Sequence, residues 1–264
     1  MVRLRRTVRF SIDPSGSPAA GPARTIGSSP PLTGLAAVFE LDVTCTGEPD
    51  ERSAYVADIQ EIDRATLGIA VPRIGERFSE PPAGTLRSML EPLRAALPAA
   101  LESVRWRVSP YHSLEMSADH PQTVLFRERF EFAASHRLHN RRLSDEANRE
   151  LFGKCNNPSG HGHNYVIEPC VEVDLDETGS TPVTWERIAR ITKAAVLDRL
   201  DHTHLNSDVA EFRDEGGLIP SVENIARVCF EWLAGPVGEL PGSPRLRTVT
   251  VWETDRTCAT YPAD

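Results

Sequence analysis

The sequence has no apolar run of the roughly 20 residues that a membrane-spanning helix needs, and it has no excess of basic charge. Hydrophobic residues make up 40% and charged residues 25%, as is typical of a globular protein. The formal net charge is -9, whereas a nucleic-acid phosphate backbone attracts basic surfaces. We therefore expect a soluble protein that binds neither membranes nor nucleic acids. A small anionic substrate is compatible with this charge, because local charge governs its binding.

Disulfide-like cysteine spacing and glycosylation acceptors are also lacking. The five cysteines are an odd number, and no N-x-S/T glycosylation acceptor, in which x is not proline, occurs. The N-terminal "MVRLRRTVRF" carries a twin arginine, but "SIDPSGSPAAGP" follows where a secretory signal has an apolar stretch. These features predict a protein that is not exported and that works in a reducing cytoplasm.

Regular structure is predicted on either side of a Pro-, Gly- and Ser-rich loop over residues 13–34 and a polar junction over 116–122. In the first half, "LAAVFELDVTCTG" and "SVRWRVS" alternate like strands. Two segments between them, "VADIQEIDRATLGIAV" and "GTLRSMLEPLRAAL", have helical spacing, although Pro92 weakens the second prediction.

The second half shows a similar series of elements. Strands are predicted in "VLFRERFEFAASHRL", "HGHNYVIEPCVEVDLD" and "RLRTVTVWET". Thr184 and Ser221 are suitable N-caps for two helices that lie between the last two of these strands.

An internal duplication would explain why both halves follow the order strand, strand, helix, helix, strand. A shift of 126 residues aligns Asp50 with Asp176 and Asp58 with Thr184, and a shift of 136 aligns Arg87 with Glu223. This predicts an α+β chain of two similar units, 1–118 and 119–264. The alternative is two unrelated α+β segments.

Three histidines form a candidate metal site. His161 and His163 are two residues apart on a predicted strand, so both side chains project to one side. His136 ends another predicted strand, on the face that carries Phe130 and Phe132. Three imidazoles around Zn²⁺ leave a fourth tetrahedral position open, as in catalytic sites. We expect His112, His120, His139 and His204 to be ordinary surface or core residues.

Other polar residues allow two interpretations each. Cys155 is either a fourth zinc ligand or a thiolate base near the metal. Asp201 and His202 form either an oriented proton carrier or a helix-terminal histidine favoured by the dipole. Glu253 either accepts paired N–H groups of a ligand or is a solvated charge at the end of a strand.

Together, "FAASHRL", "LFGKCNNPSGHGHNY", "LDHTHLN", "PSVENIA" and "VWET" resemble the 6-pyruvoyl tetrahydropterin synthase and 6-carboxytetrahydropterin synthase family. The matching segments occur in the same order and span most of residues 122–261. The resemblance implies the T-fold, or tunnelling fold, in which each unit is an antiparallel sheet with two helices packed on one face. Because the family normally has a single domain, it also implies a tandem chain with a degenerate first half.

The resemblance further implies a role for each matched residue. Zinc is held by His136, His161 and His163, Cys155 is the catalytic base, and Asp201 and His202 are its proton-relay partners. Glu253 anchors the 2-amino and N3 edge of a pterin ring, and Glu223 lines the same pocket. The implied substrate is 7,8-dihydroneopterin triphosphate, and the implied assembly is a homo-oligomer with active sites between subunits.

The product is left open by the sequence. One branch of the family eliminates triphosphate to give 6-pyruvoyl tetrahydropterin, and the other also releases acetaldehyde to give 6-carboxytetrahydropterin for queuosine synthesis. The Cys-to-His spacing in "CNNPSGHGH" resembles the pyruvoyl branch, whereas the Arg- and Ala-rich composition favours the other. Two further alternatives are an inactive zinc- and pterin-binding assembly protein and an aldolase-like cleavage of dihydroneopterin.

Overall fold

The structure, a computed structural model, describes residues 1–12, 34–213 and 216–263. Its chain forms two units, one of Met1–Phe126 with Val173–Pro182 and the other of Arg127–Glu172 with Val183–Asp264. The loop predicted from Pro, Gly and Ser content lies outside the described residues, apart from Gly34. Within the described ranges, no helix combines the length and apolarity needed to cross a bilayer.

The first unit contains an antiparallel sheet whose strands have buried and more exposed residues in alternation. Its strands are β1 (Val2–Ile12), β2 (Ala37–Gly47), β3 (Ala100–Arg107) and β4 (His112–Ser117), paired in that order. Strand β5 (Thr123–Glu128) follows and extends past the unit boundary.

Two helices connect β2 to β3. Helix α1 (Ile59–Glu76) begins after Asp58, whose carboxylate accepts the Gln60 N–H at 2.9 Å. Helix α2 (Pro82–Ala96) continues through Pro92 and buries an apolar stripe that includes Leu86, Leu90 and Leu93. Both helices pack against the sheet, which buries its core-facing side chains.

The second unit has a sheet of five strands in the order β10-β9-β7-β6-β8. These are β6 (Phe130–His136), β7 (His161–Asp174), β8 (Thr203–His204), β9 (Arg245–Thr254) and β10 (Thr257–Tyr261). Only the β6–β8 pair is parallel among these described strands. The unit is therefore α+β with a mainly antiparallel sheet.

Five helices and three short turns complete the described part of the second unit. Helix α3 (Asp145–Phe152) is capped by Ser144 and runs into a 3-10 turn, Gly153–Asn156. Helix α4 (Trp185–Thr192), capped by Thr184, continues as a π-turn (Lys193–Leu197) and α5 (Asp198–Leu200). Then come α6 (Leu205–Asp208), a 3-10 turn (Ala210–Phe212) and α7 (Val222–Gly238), which packs on β9 and β10.

Some local expectations need correction. The junction predicted over 116–122 is too long, because residues 116 and 117 belong to β4 and Met116 is buried; residues 118–122 connect β4 to β5. The strand predicted across 124–138 is two strands, β5 and β6, which end and begin on either side of Arg129. The Ser221 side chain makes no capping hydrogen bond to α7.

Candidate metal centre and active site

Three imidazoles converge where β6 and β7 pair. The register places His136 opposite His161 and Ala134 opposite His163, so the small alanine leaves room beside the two rings of β7. The ring centroids lie 4.5, 5.2 and 4.9 Å apart. One nitrogen from each ring lies within 4.8 Å of the others, which is close enough for one ion to reach all three.

The hydrogen bond of His136 directs its free nitrogen into this cluster. The side chain is fully buried, and Nδ1 lies 2.7 Å from the Pro220 carbonyl oxygen. Because a carbonyl only accepts, Nδ1 must carry the proton and Nε2 must carry the lone pair. Nε2 lies 3.1 Å from His161 Nε2. Burial lowers the pKa of His136 from 6.5 to about 4, which keeps this ring neutral and available as a ligand at neutral pH.

The other two rings each have a buried nitrogen without a hydrogen-bond partner among the described residues. These atoms are His161 Nδ1 and His163 Nε2. Burial, followed by the charge of His163, also lowers the pKa of His161. Buried polar atoms normally have partners, so buried nitrogens left unpaired on two neighbouring rings of the cluster fit a site for a metal ion. A set of three imidazoles suits Zn²⁺ well.

A carboxylate and a phenol border the three rings. The β7–β9 register continues from Val166–Trp252 to put Glu253 beside Tyr165. Glu253 Oε1 lies 3.4 Å from His136 Nε2 and 3.6 Å from His163 Nε2, which is longer than a normal hydrogen bond. Its side chain is 21% exposed, so it is more than a solvated charge at a strand end.

Cys155 lies on the 3-10 turn that precedes β7 and is partly exposed. Burial raises the pKa of Tyr165, and the negative charge of Glu253 adds to the effect. The Cys155 carbonyl accepts the Leu138 N–H at 2.9 Å, so the turn that carries the thiol is bonded to the chain two residues after His136. Tyr165 Oη in turn lies 3.4 Å from His136 Nε2. The thiol is not in the group of atoms that converge on one centre, which is formed by the three imidazoles in the described chain.

Asp201 and His202 form a hydrogen-bonded pair at the edge of β6. Asp201 Oδ2 lies 3.0 Å from His202 Nδ1, and Oδ1 accepts the Ala133 N–H at 2.9 Å. Hydrogen bonds from Ala133 and from His202 lower the pKa of Asp201. His202 has φ 59°, a left-handed conformation that is uncommon outside glycine, and its N–H donates to the Ala133 carbonyl.

The predicted site residues are thus only partly brought together. The His202 side chain is 84% exposed, and in the described chain no hydrogen bond joins this pair to Cys155. Glu223 is exposed in the first turn of α7, three residues after the Pro220 carbonyl that holds His136.

An open cavity of about 630 Å³ borders His163 of the cluster, but neither the other two imidazoles nor Cys155 and Glu253 are among its described lining residues. His163, His202, His204 and Asp208 are among its lining residues. This volume is ordinary for a small-molecule site. His204 was expected to be an ordinary surface or core residue, but its Nδ1 is buried without a hydrogen-bond partner in the described chain. The ring also approaches Gly160, where a Cβ would lie 2.8 Å from Nε2.

Strands β1 and β2 have apolar residues at the positions 124 residues before the three histidines. The pair Ile12–Ala37 on β1 and β2 matches His136–His161 at an offset of 124 residues, and the same offset matches Phe39 to His163. Trp106, opposite Leu41, corresponds to Glu253. The Phe39 ring lies 5.8 Å from Phe10, 5.5 Å from Trp106 and 6.3 Å from Phe78. Phe39 and its three neighbours, Phe10, Phe78 and Trp106, therefore form an aromatic cluster.

Arg87, which the sequence aligns with Glu223, is a structural residue in the first unit. Its guanidinium donates to the carbonyls of Asp176 at 3.0 Å and Glu177 at 2.9 Å. It therefore holds a turn of the main chain.

Two contacts at the site were not anticipated from the sequence. The Pro220 carbonyl is a backbone atom, so no residue pattern marks it. Tyr165 did carry a signal, because it follows His161 and His163 at the same two-residue spacing and so shares their face.

Comparisons with known proteins point to one family. A family model for 6-pyruvoyl tetrahydropterin synthase matches residues 125–264, just over half of the chain. The chain is 37% identical over 138 residues to 6-pyruvoyl tetrahydrobiopterin synthase of Homo sapiens, covering 52% of this chain and 89% of that protein. The Dictyostelium discoideum protein of the same name is 31% identical over 140 residues, covering 53% and 96%.

A solved structure of Caenorhabditis elegans 6-pyruvoyl tetrahydropterin synthase is also similar. It shares 36% identity and has a TM-score of 0.48, covering 54% of this chain and 96% of that one. The family match and the sequence relatives show that this chain belongs to the 6-pyruvoyl tetrahydropterin synthase family of lyase-type, T-fold enzymes.

Proposed function

We propose that the protein is a zinc-dependent lyase that converts 7,8-dihydroneopterin triphosphate into a 6-substituted tetrahydropterin. The observation that carries this proposal is the cluster of His136, His161 and His163, with Glu253 at its border and Cys155 nearby. Family membership supplies the reaction class. The cavity that His163 borders has room for a small molecule.

Zinc would be held by Nε2 of His136 and by one nitrogen each of His161 and His163. When bound, the ion supplies positive charge that polarises substrate hydroxyls and acidifies the neighbouring C–H. Pro220 fixes the tautomer of His136, as is common for metal-binding histidines.

The chain's own groups then have separate tasks. The Glu253 carboxylate accepts two N–H groups from the pterin edge and fixes the ring, with Glu223 at the same pocket. The Cys155 thiolate accepts a proton from a carbon in the side chain of the substrate. Asp201 orients His202 through the 3.0 Å contact, so that the imidazole can carry a proton in the second half of the reaction.

Within this reaction class we favour 6-pyruvoyl tetrahydropterin as the product over the 6-carboxy product of queuosine synthesis. The named relatives at 37% and 31% identity are 6-pyruvoyl tetrahydrobiopterin synthases. The spacing in "CNNPSGHGH" agrees with that branch.

The test is to incubate zinc-loaded protein with 7,8-dihydroneopterin triphosphate and to measure released triphosphate and acetaldehyde. Triphosphate without acetaldehyde is the expected result, and the Cys155→Ala variant should release neither. Acetaldehyde would assign the 6-carboxy branch. Binding of the substrate without either product would contradict the lyase and leave the zinc- and pterin-binding assembly protein.

The active site is further proposed to form between copies of the chain in a homo-oligomer. The exposed His202, with no hydrogen bond to Cys155 in the described chain, is what we expect if the Asp201–His202 pair serves the thiol of a neighbouring copy. Mixing Cys155→Ala protein with His202→Ala protein tests this arrangement. Exchange of subunits should restore part of the activity, whereas two inactive variants that stay inactive after proven exchange would contradict it.

The first unit is proposed to be a degenerate copy of the second, with a scaffolding role. The common offset of 124 residues across β1–β2 and β6–β7 supports a duplication. So do the helix caps at Asp58 and Thr184, which are separated by the 126 residues expected from the sequence. The proposal predicts one zinc ion per chain, and two ions per chain would contradict it.

A further inference from the structure

The turn that carries Cys155 has few anchors of its own. It is a four-residue 3-10 turn, Gly153–Asn156, followed by the exposed residues 157–159. Asn156 is the exception, since only 6% of its surface is exposed. A buried amide in a short surface turn costs free energy unless it forms hydrogen bonds.

The Asn156 amide binds the chain segment that directly follows the metal-site residue His136. Asn156 Oδ1 lies 2.9 Å from Arg137 Nε and 3.0 Å from His139 Nδ1. An arginine Nε only donates, so this oxygen is the acceptor for both, and His139 must donate from Nδ1. Arg137 Nε also lies 3.3 Å from the Asn156 carbonyl oxygen.

The main chain of Cys155 joins the same segment. Leu138 N–H donates to the Cys155 carbonyl at 2.9 Å. Residues 137–139 therefore hold both Cys155 and the residue after it, and the strand end that carries His136 is tied to the turn that carries the thiol.

Asn206 fixes this segment from the opposite side. Its amide oxygen accepts the Arg137 N–H at 2.8 Å, and its amide nitrogen donates to the Arg137 carbonyl at 3.0 Å. Asn206 is 6% exposed and lies four residues after His202. Both backbone groups of Arg137 are thus paired with one side chain, which restricts the residue more than a single bond would.

We infer that Asn156 and Asn206 are positioning residues that set the place of the Cys155 thiol relative to the imidazole cluster. The inference rests on the proposed function, in which that thiol accepts a proton from the substrate. Proton transfer requires groups within hydrogen-bond reach, and a displacement of about 1 Å can cost about 100-fold in rate. Without Asn156 the turn would lose its side-chain link to Arg137 and His139.

The experiment measures thiol reactivity in zinc-loaded, full-length protein. Cys45, Cys170 and Cys229 are buried and Cys258 is exposed, so a Cys258→Ser background leaves Cys155 as the one cysteine that is not buried. Asn156→Ala and Asn206→Ala should each raise the rate of iodoacetamide alkylation about tenfold, as expected for losing buried hydrogen bonds. Asn156→Asp keeps an acceptor for Arg137 and should stay near the background rate.

A stability control separates positioning from general loosening. Trp232→Phe removes a 3.0 Å hydrogen bond to Glu211 in the same unit and should leave alkylation unchanged. In the lyase assay, Asn156→Ala should lower kcat by about 10- to 100-fold at unchanged KM and zinc content, and Asn156→Asp should restore most of it.

Three results would overturn the inference: an Asn156→Ala alkylation rate equal to the background, an equal increase in Asn156→Asp, or an equal increase in Trp232→Phe. If Asn156→Ala does not fold, Asn206→Ala tests the same link from its other end. If the unsubstituted protein releases no product while the alkylation pattern is as expected, the proposed function fails and the positioning of the thiol stands.

Discussion

The buried His136 should make the metal-free protein sensitive to mild acid. Its folded pKa is about 4, against an ordinary value of 6.5, chiefly because burial disfavours the charged ring. Between these two pH values the unfolded chain binds a proton that the folded chain does not, so stability falls as pH falls from 6.5 to 4. A difference of about 2.5 pH units corresponds to about 3 kcal/mol.

The assay compares urea unfolding of EDTA-treated protein with that of His136→Asn between pH 4 and 7, followed by tryptophan fluorescence. Asparagine cannot titrate but keeps an N–H donor for the Pro220 carbonyl. The variant should be less stable than the parent at pH 7, and the gap should narrow by about 3 kcal/mol by pH 4. His120→Asn, at an exposed histidine of the first unit, controls for the substitution itself. A gap that stays constant across this range would refute the reasoning.

Three other substitutions test separate parts of the structure. Burial raises the pKa of Glu128 to about 7. The unfolded chain therefore loses this proton before the folded chain does, and the folded protein loses stability as pH rises from 4.5 to 7. In urea titrations, Glu128→Gln should stabilise the protein by about 1–3 kcal/mol at pH 8 and have little effect at pH 4.5. Phe39→Ala should cost about 3–5 kcal/mol by emptying the aromatic cluster, and zinc analysis should show unchanged metal content. Glu253→Gln should keep its zinc and lose about 10- to 100-fold in kcat/KM. A pH-independent Glu128 effect, a neutral Phe39 variant, or a fully active Glu253 variant would contradict these expectations.

The metal-site geometry follows from a simple property of strands. Alternation puts His161 and His163 on one face, and the apolar parity of Phe130 and Phe132 puts His136 on the matching face of its own strand. Once these strands pair, the three rings must meet. Short-range patterning therefore predicted the cluster without knowledge of the rest of the fold.

Features that depend on distant pairing were harder to predict. Strand β1 has basic residues throughout its first half, which conceal its alternation, and it forms because β2 pairs along its whole length. The Pro220 carbonyl and the Asn156–Arg137–Asn206 bonds join residues up to 84 positions apart. Sequence patterns describe neighbours along one element, so contacts of this kind appear only after folding.

The Asp201–His202 pair shows a different limit of prediction from the sequence. Its internal hydrogen bond follows from adjacency in the sequence, but the direction in which His202 points depends on the positive φ and on the bond to Ala133. The motif identified the pair correctly as a unit, while only the structure shows that no hydrogen bond joins it to Cys155 in the described chain.

The central claim is that three imidazoles hold the metal while the Cys155 sulfur stays unligated. X-ray absorption spectroscopy of the zinc-loaded protein tests this most directly, because Zn–N and Zn–O bonds of about 2.0–2.2 Å are distinguishable from Zn–S bonds of about 2.3 Å. We predict a shell of three imidazole nitrogens and one further light atom, identical in the Cys155→Ala variant. A sulfur shell that disappears in that variant would contradict the account.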